Sequence, residues 1–232
     1  MAVNSFLRNA KLALKLVGLF VALGFLGLLM QVVAYRFVPV TDTCYMRAQA
    51  TKNGVCVTQR WMPLERISDE LPLAVVSSED NLFTKHHGFC WSAIKKAMNR
   101  NSRGKKVFGA STISQQTAKN VFLWNGRSWL RKGLEAVTTV LIEALWGKER
   151  IMEVYLNVVE FGPGVYGAEA AARRYFHHSA QSIGRREAAL MAAVMPNPVK
   201  MKLAAPSPYV EKRCGQIMSL MRKIGSVRYD GD

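Results

Sequence analysis

Four short blocks of the sequence carry polar residues at spacings that packing alone would not require. The first, Glu79–Gly88, reads EDNLFTKHHG and places two adjacent carboxylates directly after an apolar stretch of helical character. A carboxylate beside apolar groups can serve as a general acid or base. The alternative is that Glu79 and Asp80 simply mark the end of a helix in solvent.

A metal site in this first block is not expected. His86, His87 and Cys90 are ligand types for transition metals, but their spacing is irregular and no further ligand set appears. Cys90 follows an aromatic residue in a helical pattern and is predicted to belong to the core.

The second block, Gly109–Gln116, reads GASTISQQ and is followed by Lys119. A glycine-containing approach to a helix N-terminus presents free backbone N–H groups, which suit an anion. The hydroxyl and amide side chains can bind sugar hydroxyls. The alternative is simply a well-capped helix, with Thr112 and Gln115 as its capping box.

The third block, Arg131–Glu135, reads RKGLE, with Arg127 just upstream. Arg131 and Glu135 are four residues apart and share a helix face, so a surface ion pair is the simplest interpretation. Residues 95–150, however, hold twelve Lys and Arg against three Glu, a net charge of +9. Such a concentration of guanidinium and ammonium groups is typical of a diphosphate site.

The fourth block, Lys148–Asn157, reads KERIMEVYLN. Its apolar residues 151, 154 and 155 lie on one helical face. Taken alone, this block predicts an ordinary amphipathic helix.

The elements that position these blocks are predicted to be mainly α-helices, with a small irregular β element. Pro72 suits the first position of a helix, and residues 102–110 are predicted to form a mobile loop. Residues 37–63 are predicted to form a short extended segment. Further helices are expected at 91–101, 112–120, 128–146, 148–158, 168–176, 185–194 and 208–224.

An uncharged N-terminal stretch predicts a membrane anchor. Residues 16–35 contain no charge and span roughly 30 Å as a helix, which is the thickness of a bilayer core. A cleaved signal peptide is the alternative, but its apolar run would be shorter and would end at a small-residue cleavage site. Basic residues before the stretch keep the N-terminus cytoplasmic. The expected organisation is 1–15 cytoplasmic, 16–36 transmembrane, 37–63 juxtamembrane and 64–232 the exported domain.

The composition narrows the class of protein further. The 232 residues are 50% hydrophobic and carry a net charge of +16, which excludes a disordered chain and favours polyanionic partners. For an exported domain these are anionic lipids or phosphorylated lipids, so nucleic acid is not expected. Cys44 and Cys56 would lie in an oxidising compartment, where a disulfide and two unrelated thiols are both open alternatives.

Taken in order, the four blocks resemble the signature of the peptidoglycan glycosyltransferases, glycosyltransferase family 51. The matching patterns are ED-x-x-F-x-x-H-x-G, G-x-ST-I-x-QQ, RK-x-x-E and K-x-R-I-x-E-x-YLN, and the resemblance extends from about Leu64 to Pro198. Ser114 stands where the family usually has Thr, a conservative departure. The S-x-N and K-T-G motifs of a following transpeptidase domain do not occur in the sequence, so we expect a monofunctional enzyme.

The resemblance implies a mainly α, lysozyme-like glycosyltransferase domain with a small irregular membrane-proximal subdomain, preceded by one transmembrane helix. By this resemblance Glu79 is the catalytic base, and Glu135 is a second catalytic carboxylate that orients cations or a divalent ion. The loop 102–110 would cover the acceptor channel. The substrate-binding residues implied are Asp80, Phe83, His86, Gly109, Ser111, Thr112, Gln115, Gln116, Lys119, Arg127, Arg131, Lys132, Lys148, Arg150 and Asn157.

The implied reaction adds the disaccharide-peptide of lipid II to a glycan chain linked through diphosphate to undecaprenol, by inverting β-1,4 transfer. A Mg²⁺ or Mn²⁺ ion would suit the diphosphate, although no dedicated ligand set is visible. The implied location is the bacterial inner membrane with the domain on the periplasmic side. Penicillin-binding transpeptidases and division proteins are the protein partners it suggests. A lysozyme-like glycan-cleaving enzyme and a non-enzymatic membrane scaffold are the competing interpretations.

Overall fold

A computed structural model describes residues 2–101, 111–126 and 128–229, and the chain divides into two compact units, Met1–Val38 and Pro39–Asp232. The first unit is one helix, α1 (Ala2–Phe37). Within it, Asn9–Phe37 is long and apolar enough to cross a membrane, and no other helix in the described part of the chain is. The predicted apolar helix is therefore confirmed, and it begins before residue 16.

The second unit is mainly helical with a small sheet, as predicted. Its helices are α2 (Cys44–Asn53), α3 (Glu70–Glu79), α4 (Trp91–Asn101), α5 (Ile113–Phe122), α6 (Trp129–Leu145), α7 (Gly147–Val158), α8 (Ala168–Tyr175), α9 (Arg185–Val194) and α10 (Pro208–Ile224). The strands are β1 (Thr58–Gln59), β2 (Glu160–Gly162) and β3 (Val165–Tyr166). The central strand β3 pairs parallel with β1 and antiparallel with β2.

Two groups of helices form the core of this unit. In the first, α3 and α10 pack against α9, whose residues 188–194 are all buried. Four of those seven residues are Ala, and small side chains allow neighbouring helices to approach closely. In the second group, α5 packs against α2, α6 and α7. The last turn of α3 meets the first turn of α5, and this junction brings the first two sequence blocks together.

Local sequence signals predict the helix limits well. The limits of α4, α9 and α10 agree with those predicted, and the other predicted helices from residue 112 onward differ by one or two residues at one or both ends. The predicted capping box of α5 is confirmed, with Thr112 as N-cap and Gln115 as its partner. Helix α3 begins two residues before Pro72, which still lies in the first turn, where its missing N–H costs nothing.

The prediction of an extended segment over 37–63 is wrong for residues 44–53, which form α2. Thr43 caps this helix by accepting the Met46 N–H (3.1 Å), and Gly54 ends it with a left-handed φ of 65°, the conformation that glycine adopts most easily. Met46 and Ala50, four residues apart, form its buried face. The thiols of Cys44 and Cys56 are free and exposed, and Cys90 is buried, as predicted.

Candidate active site

A cleft of about 310 Å³ lies over one face of α5. Gln116, Lys119 and Asn120 are three or four residues apart on this helix and line the cleft together. Glu79, at the end of α3, also lines it. The remaining lining residues come from α2, from the start of β2 and from the segment after α9: Tyr45, Gln49, Val159, Glu160, Met195, Pro196, Asn197, Pro198 and Val199.

Glu79 is held at the cleft by two partners. The Gln116 side-chain amide donates to Glu79 Oε2 (3.1 Å), and Arg213 of α10 lies 3.8 Å from Oε1. The Glu79 side chain is 17% exposed, so a substrate can reach it. This arrangement fixes one carboxylate oxygen and leaves the other beside a cation, which suits a general base.

A buried tyrosine completes the support of Glu79. The Tyr155 hydroxyl donates to Gln116 Oε1 (3.1 Å), so that a chain of two hydrogen bonds runs from α7 through α5 to the carboxylate. Burial, together with the charges of Glu79 and Asp80, raises the pKa of Tyr155 well above 10. The phenol therefore stays protonated, and Gln116 keeps its amide N–H directed at Glu79.

A second carboxylate organises the cations of α6. Arg131 donates to Glu135 Oε2 (2.9 Å), and Lys132 forms an ion pair with Oε1. Glu135 is buried, and Arg131 is 12% exposed. The Nε atom of Arg131 is buried and has no hydrogen-bond partner in the described part of the chain. One N–H of this guanidinium is therefore a donor that the described residues leave unsatisfied, beside the Glu135 ion pairs.

Lys119 lines the cleft together with Glu79 and is close enough to this cation cluster to interact with its charges. Its ammonium stands 4.8 Å from the ring centroid of Tyr45, a cation–π contact. Burial lowers the pKa of Lys119, the charge of Glu135 opposes that shift, and Arg131 and Lys132 add to it. A buried ammonium among other cations is stabilised by an anion, so this end of the cleft favours phosphate.

Glu160 is a further carboxyl group in the cleft, and the sequence did not single it out. It is 8% exposed, and its Oε1 accepts the Gly164 N–H (3.1 Å). Burial raises the pKa of Glu160 above its ordinary value, and the hydrogen bond from Gly164 opposes the shift only in part.

Asp80 and the start of α5 bind each other. Asp80 Oδ2 accepts the Ile113 N–H (3.1 Å), and His86 Nε2 lies 2.9 Å from the same oxygen. Gln115 contributes to the cap, its side chain accepting the Thr112 N–H (3.1 Å). The well-capped helix, one of the two interpretations of this block, is therefore what the structure shows, and the helix N-terminus is satisfied from within the protein.

Phe83 and Lys148 also bind within the protein. The Lys148 ammonium lies 4.7 Å from the Phe83 ring centroid and 2.7 Å from Glu143 Oε1. Ser114, the residue that departs from the family pattern, donates to the same Glu143 oxygen. Gly88 lies beside this network with φ of 85°, and a Cβ there would come within 2.7 Å of Thr139. The glycine of the first block is thus required for packing.

Asn157 and Arg150 join α7 to the segment that follows β1. The Asn157 amide donates to the Met62 carbonyl (2.8 Å) and accepts the Met62 N–H (2.8 Å). Asn157 is fully buried. Arg150 pairs with Glu153 and lies 5.1 Å from the Trp61 ring centroid. Asn157 therefore positions a chain segment and does not line the cleft.

The predicted site residues thus differ in where the structure places them. Glu79, Gln116 and Lys119 line the cleft, and Arg131, Lys132 and Glu135 form the adjacent cation cluster. Ser111 is exposed at the start of the second block. Gly109, Arg127 and the loop 102–110 lie outside the described residues. The remaining predicted residues contact other groups of the protein: Asp80, Phe83, His86, Thr112, Gln115, Lys148, Arg150 and Asn157.

Sequence reasoning missed several cleft residues. Tyr45 and Gln49 are one helical turn apart on α2, the helix that was taken for an extended segment. Asn120 lies just beyond the second block, one turn after Gln116, and helical periodicity would have found it. Asn197 lies between two prolines that signalled only a chain break.

The arrangement around Glu135 does not fit a divalent cation. Arg131 pairs with one oxygen of Glu135 and Lys132 with the other, so a divalent cation at this carboxylate would face two positive charges at close range. In the described ranges, no three His, Cys, Asp or Glu side chains are grouped closely enough to hold a metal ion.

Comparison with known proteins identifies relatives along nearly the whole chain. The family model described as Transglycosylase matches residues 48–222. A biosynthetic peptidoglycan transglycosylase of Caulobacter vibrioides is 49% identical over 229 residues, which are 99% of this chain and 96% of that protein. Proteins of the same name are 54% identical over 171 residues in Shewanella oneidensis (74% of this chain, 73% of that protein) and 49% identical over 203 residues in Pasteurella multocida (85% and 82%).

Proposed function

Because the chain belongs to the transglycosylase family, we propose that the cleft at Glu79 is where it joins sugars into peptidoglycan strands. The protein is a peptidoglycan glycosyltransferase that polymerises glycan from lipid II. Its donor is the growing glycan, linked through diphosphate to a polyprenol, and its acceptor is the 4-hydroxyl of a lipid II disaccharide. The new bond is β-1,4, so the anomeric carbon inverts in a single displacement.

Glu79 is the general base in this proposal. As the acceptor 4-hydroxyl attacks the anomeric carbon of the donor, Glu79 takes its proton, and the bond from that carbon to the diphosphate oxygen breaks. The observation that carries the assignment is the hydrogen-bond chain from Tyr155 through Gln116 to Glu79. Such a chain holds the carboxylate in one orientation before the substrate arrives, which is what preorganised catalysis requires.

The leaving diphosphate is stabilised by the cations of α5 and α6. Lys119, Arg131 and Lys132 surround the buried Glu135, and Coulombic neutralisation of developing charge is a large contribution to catalysis in such sites. Glu135 holds Arg131 and Lys132 in place through the two ion pairs described above. No step in this mechanism passes through a metal ion. Arg127 belongs to this group by its position in the sequence.

Membrane association follows from the lipid-linked substrate and from α1. The finer topology is proposed: α1 crosses the bacterial inner membrane with the N-terminus in the cytoplasm, because Arg8, Lys11 and Lys15 precede the apolar run. The domain then lies on the periplasmic side. An exposed apolar stripe on α6 supports contact of the domain with lipid: Trp129, Leu130, Val137 and Val140. Transpeptidases that cross-link the product are the class of partner this reaction implies.

The test of this proposal is polymerisation of lipid II by the purified full-length protein and by a Glu79→Gln variant. Gln keeps the size and the contact with Gln116 but cannot take a proton. We expect kcat to fall about 10²–10⁴-fold, the usual contribution of a general base, while lipid II binding persists. Glu65→Gln, which removes an exposed carboxylate, serves as the control and should polymerise normally. Near-normal polymer formation by Glu79→Gln would exclude Glu79 as the base.

A further inference from the structure

Asn120 carries an acceptor atom that the protein leaves without a donor. The residue is 6% exposed and lines the cleft. Its Oδ1 atom is buried and has no hydrogen-bond partner among the described residues. Buried carboxamide oxygens are nearly always satisfied in folded proteins, because an unpaired one loses its hydrogen bond to water. A partner supplied by a bound ligand would satisfy it.

The position of Asn120 relative to the base defines where that ligand atom lies. Asn120 follows Gln116 by four residues on α5, so their side chains are neighbours on one helix face, with Cβ atoms about 6 Å apart. Gln116 itself contacts Glu79. Asn120 therefore lies about one helical turn along the cleft from the carboxylate that activates the acceptor hydroxyl.

The chemistry of the unpaired atom selects which part of the substrate it meets. Phosphate oxygens are acceptors and cannot satisfy a carboxamide oxygen, whereas N–H and O–H groups can. The phosphate is accounted for by Lys119 and by the cations around Glu135. A saccharide offers both kinds of neutral donor, hydroxyl groups and the N–H of an acetamido group. The sugar is consequently the part of the substrate that fits Asn120.

We propose that Asn120 is a specificity-determining residue whose carboxamide oxygen accepts a hydrogen bond from a neutral N–H or O–H of the acceptor saccharide. The inference rests on the proposed function, because it takes the acceptor sugar to lie at Glu79. On the α5 side of the cleft, Asn120 recognises the sugar and Lys119 recognises the phosphate. Adjacent residues of one helix thus distinguish the two parts of the substrate.

The test is an Asn120→Leu variant of the full chain, measured for thermal unfolding and for steady-state polymerisation of lipid II. Leu has a similar volume and removes a buried atom that no described residue satisfies, so the melting temperature should stay equal or rise. KM for lipid II should rise about tenfold, the effect of losing one hydrogen bond, while kcat changes little. A purely structural residue would lower the melting temperature and leave KM alone, and that result would overturn the proposal, as would no change in either quantity.

Two variants complete the test. Ser77→Ala is the matched control, because Ser77 Oγ is also buried without a described partner but does not line the cleft; its KM should equal that of the unaltered protein. Asn120→Asp keeps an acceptor oxygen at the same place. If Asn120→Leu lowers stability as well as affinity, a lower KM for Asn120→Asp than for Asn120→Leu supports the proposal. An equal KM for both would refute it.

Substrate analogues identify the donor. With a lipid II analogue whose acetamido group is replaced by an acetate ester, which lacks the N–H, the unaltered protein and Asn120→Leu should have the same KM if that N–H is the donor. If the KM of Asn120→Leu for this analogue stays higher than that of the unaltered protein, the donor is a sugar hydroxyl. If the difference disappears instead with an analogue lacking the stem peptide, the donor lies in the peptide and the assignment to the sugar is refuted. Failure of the unaltered protein to form polymer at all would refute the proposed function itself.

Discussion

Glu79 and Glu160 line the same cleft in different surroundings. Glu79 contacts the Gln116 amide and lies near Arg213, two groups that hold a charged carboxylate in position. Among the described residues, the Gly164 N–H donates to Glu160, and burial raises the pKa of Glu160. Burial raises the pKa values of three neighbouring phenols from α2, β3 and α8, and the charge of Glu160 adds to each shift: Tyr45, Tyr166 and Tyr175. The cleft thus contains one supported carboxylate and one that burial destabilises in its charged form.

A pH dependence of stability follows from Glu160. Its pKa in the folded protein lies above the ordinary 4.5, so the unfolded chain releases this proton first as pH rises through 4.5, and Glu160 then destabilises the folded state. Well below 4.5 the carboxyl is mostly neutral in both states and the effect becomes small. Glu160→Gln should therefore raise the melting temperature at neutral pH and change it little at about pH 4.

The measurement is a series of thermal unfolding curves from about pH 4 to neutral for both proteins. Glu65→Gln, at an exposed position, controls for the general loss of a negative charge. A Glu160→Gln protein whose melting temperature at neutral pH is lower than that of the unaltered protein would contradict the role of burial.

Helix α7 helps to hold the site together, because its polar residues tie both α5 and the segment at residues 62–64 to it. Tyr155 supports Gln116 on α5, and Glu153 accepts the Leu64 N–H (3.2 Å). Asn157 binds both backbone groups of Met62. The polar residues of α7 therefore act on the cleft indirectly. They position the chain segments that form or support the cleft.

Removal of the Asn157 side chain tests this positioning role. Asn157→Ala would leave the buried N–H and C=O of Met62 without partners, at a cost of about 2–4 kcal/mol. For a domain of this size the melting temperature should fall by roughly 5–15 °C. The exposed Asn125, which pairs with Gln49, provides the matched control, and Asn125→Ala should change stability by less than about 0.5 kcal/mol. An Asn157→Ala protein of normal stability with impaired substrate binding would restore the prediction that Asn157 contacts substrate.

At the scale of the whole molecule, the chain combines an apolar helix with a basic domain. The second unit begins at Pro39, and every described residue of the cleft belongs to it. The overall charge of +16 favours association with anionic lipid. The chemistry and the membrane attachment are therefore expected to be separable.

A chain beginning at Pro39 tests this separation. We expect it to fold and to polymerise lipid II in detergent at a near-normal rate, because the cleft is intact. On lipid vesicles its rate should fall at least about tenfold, because α1 raises the local concentration of enzyme at its substrate. Replacing α1 by an unrelated apolar helix of the same length should restore activity on vesicles. If the shortened chain did not fold, or if it were fully active on vesicles without any anchor, the expected separation of chemistry from membrane attachment would be wrong.

Much of the architecture was predictable from short-range signals in the sequence. Capping residues and helical periodicity located α5, α9 and α10, since these signals act within a few residues along the chain. Helix α2 was missed because its Val- and Tyr-containing flanks resemble strands, although Thr43 and Gly54 mark its two ends. The order of the four blocks predicted Glu79, Gln116 and the cations of α6 as site residues, and the structure places Glu79 and Gln116 in one cleft; their catalytic roles stay predictions.

Whether a polar residue faces the substrate or supports the fold depends on contacts between residues that are far apart in the sequence. Asn157 meets Met62 across 95 residues, Tyr155 meets Gln116 across 39, and Gln116 meets Glu79 across 37. A local pattern is the same whether an asparagine faces a cleft or a buried backbone, so Asn157 was predicted to bind substrate although it binds Met62, and Asn120 in the cleft was not singled out. Packing of α5 between α2 and α7 decides which face is covered, because a polar group is available to substrate only where no neighbouring element has already satisfied it.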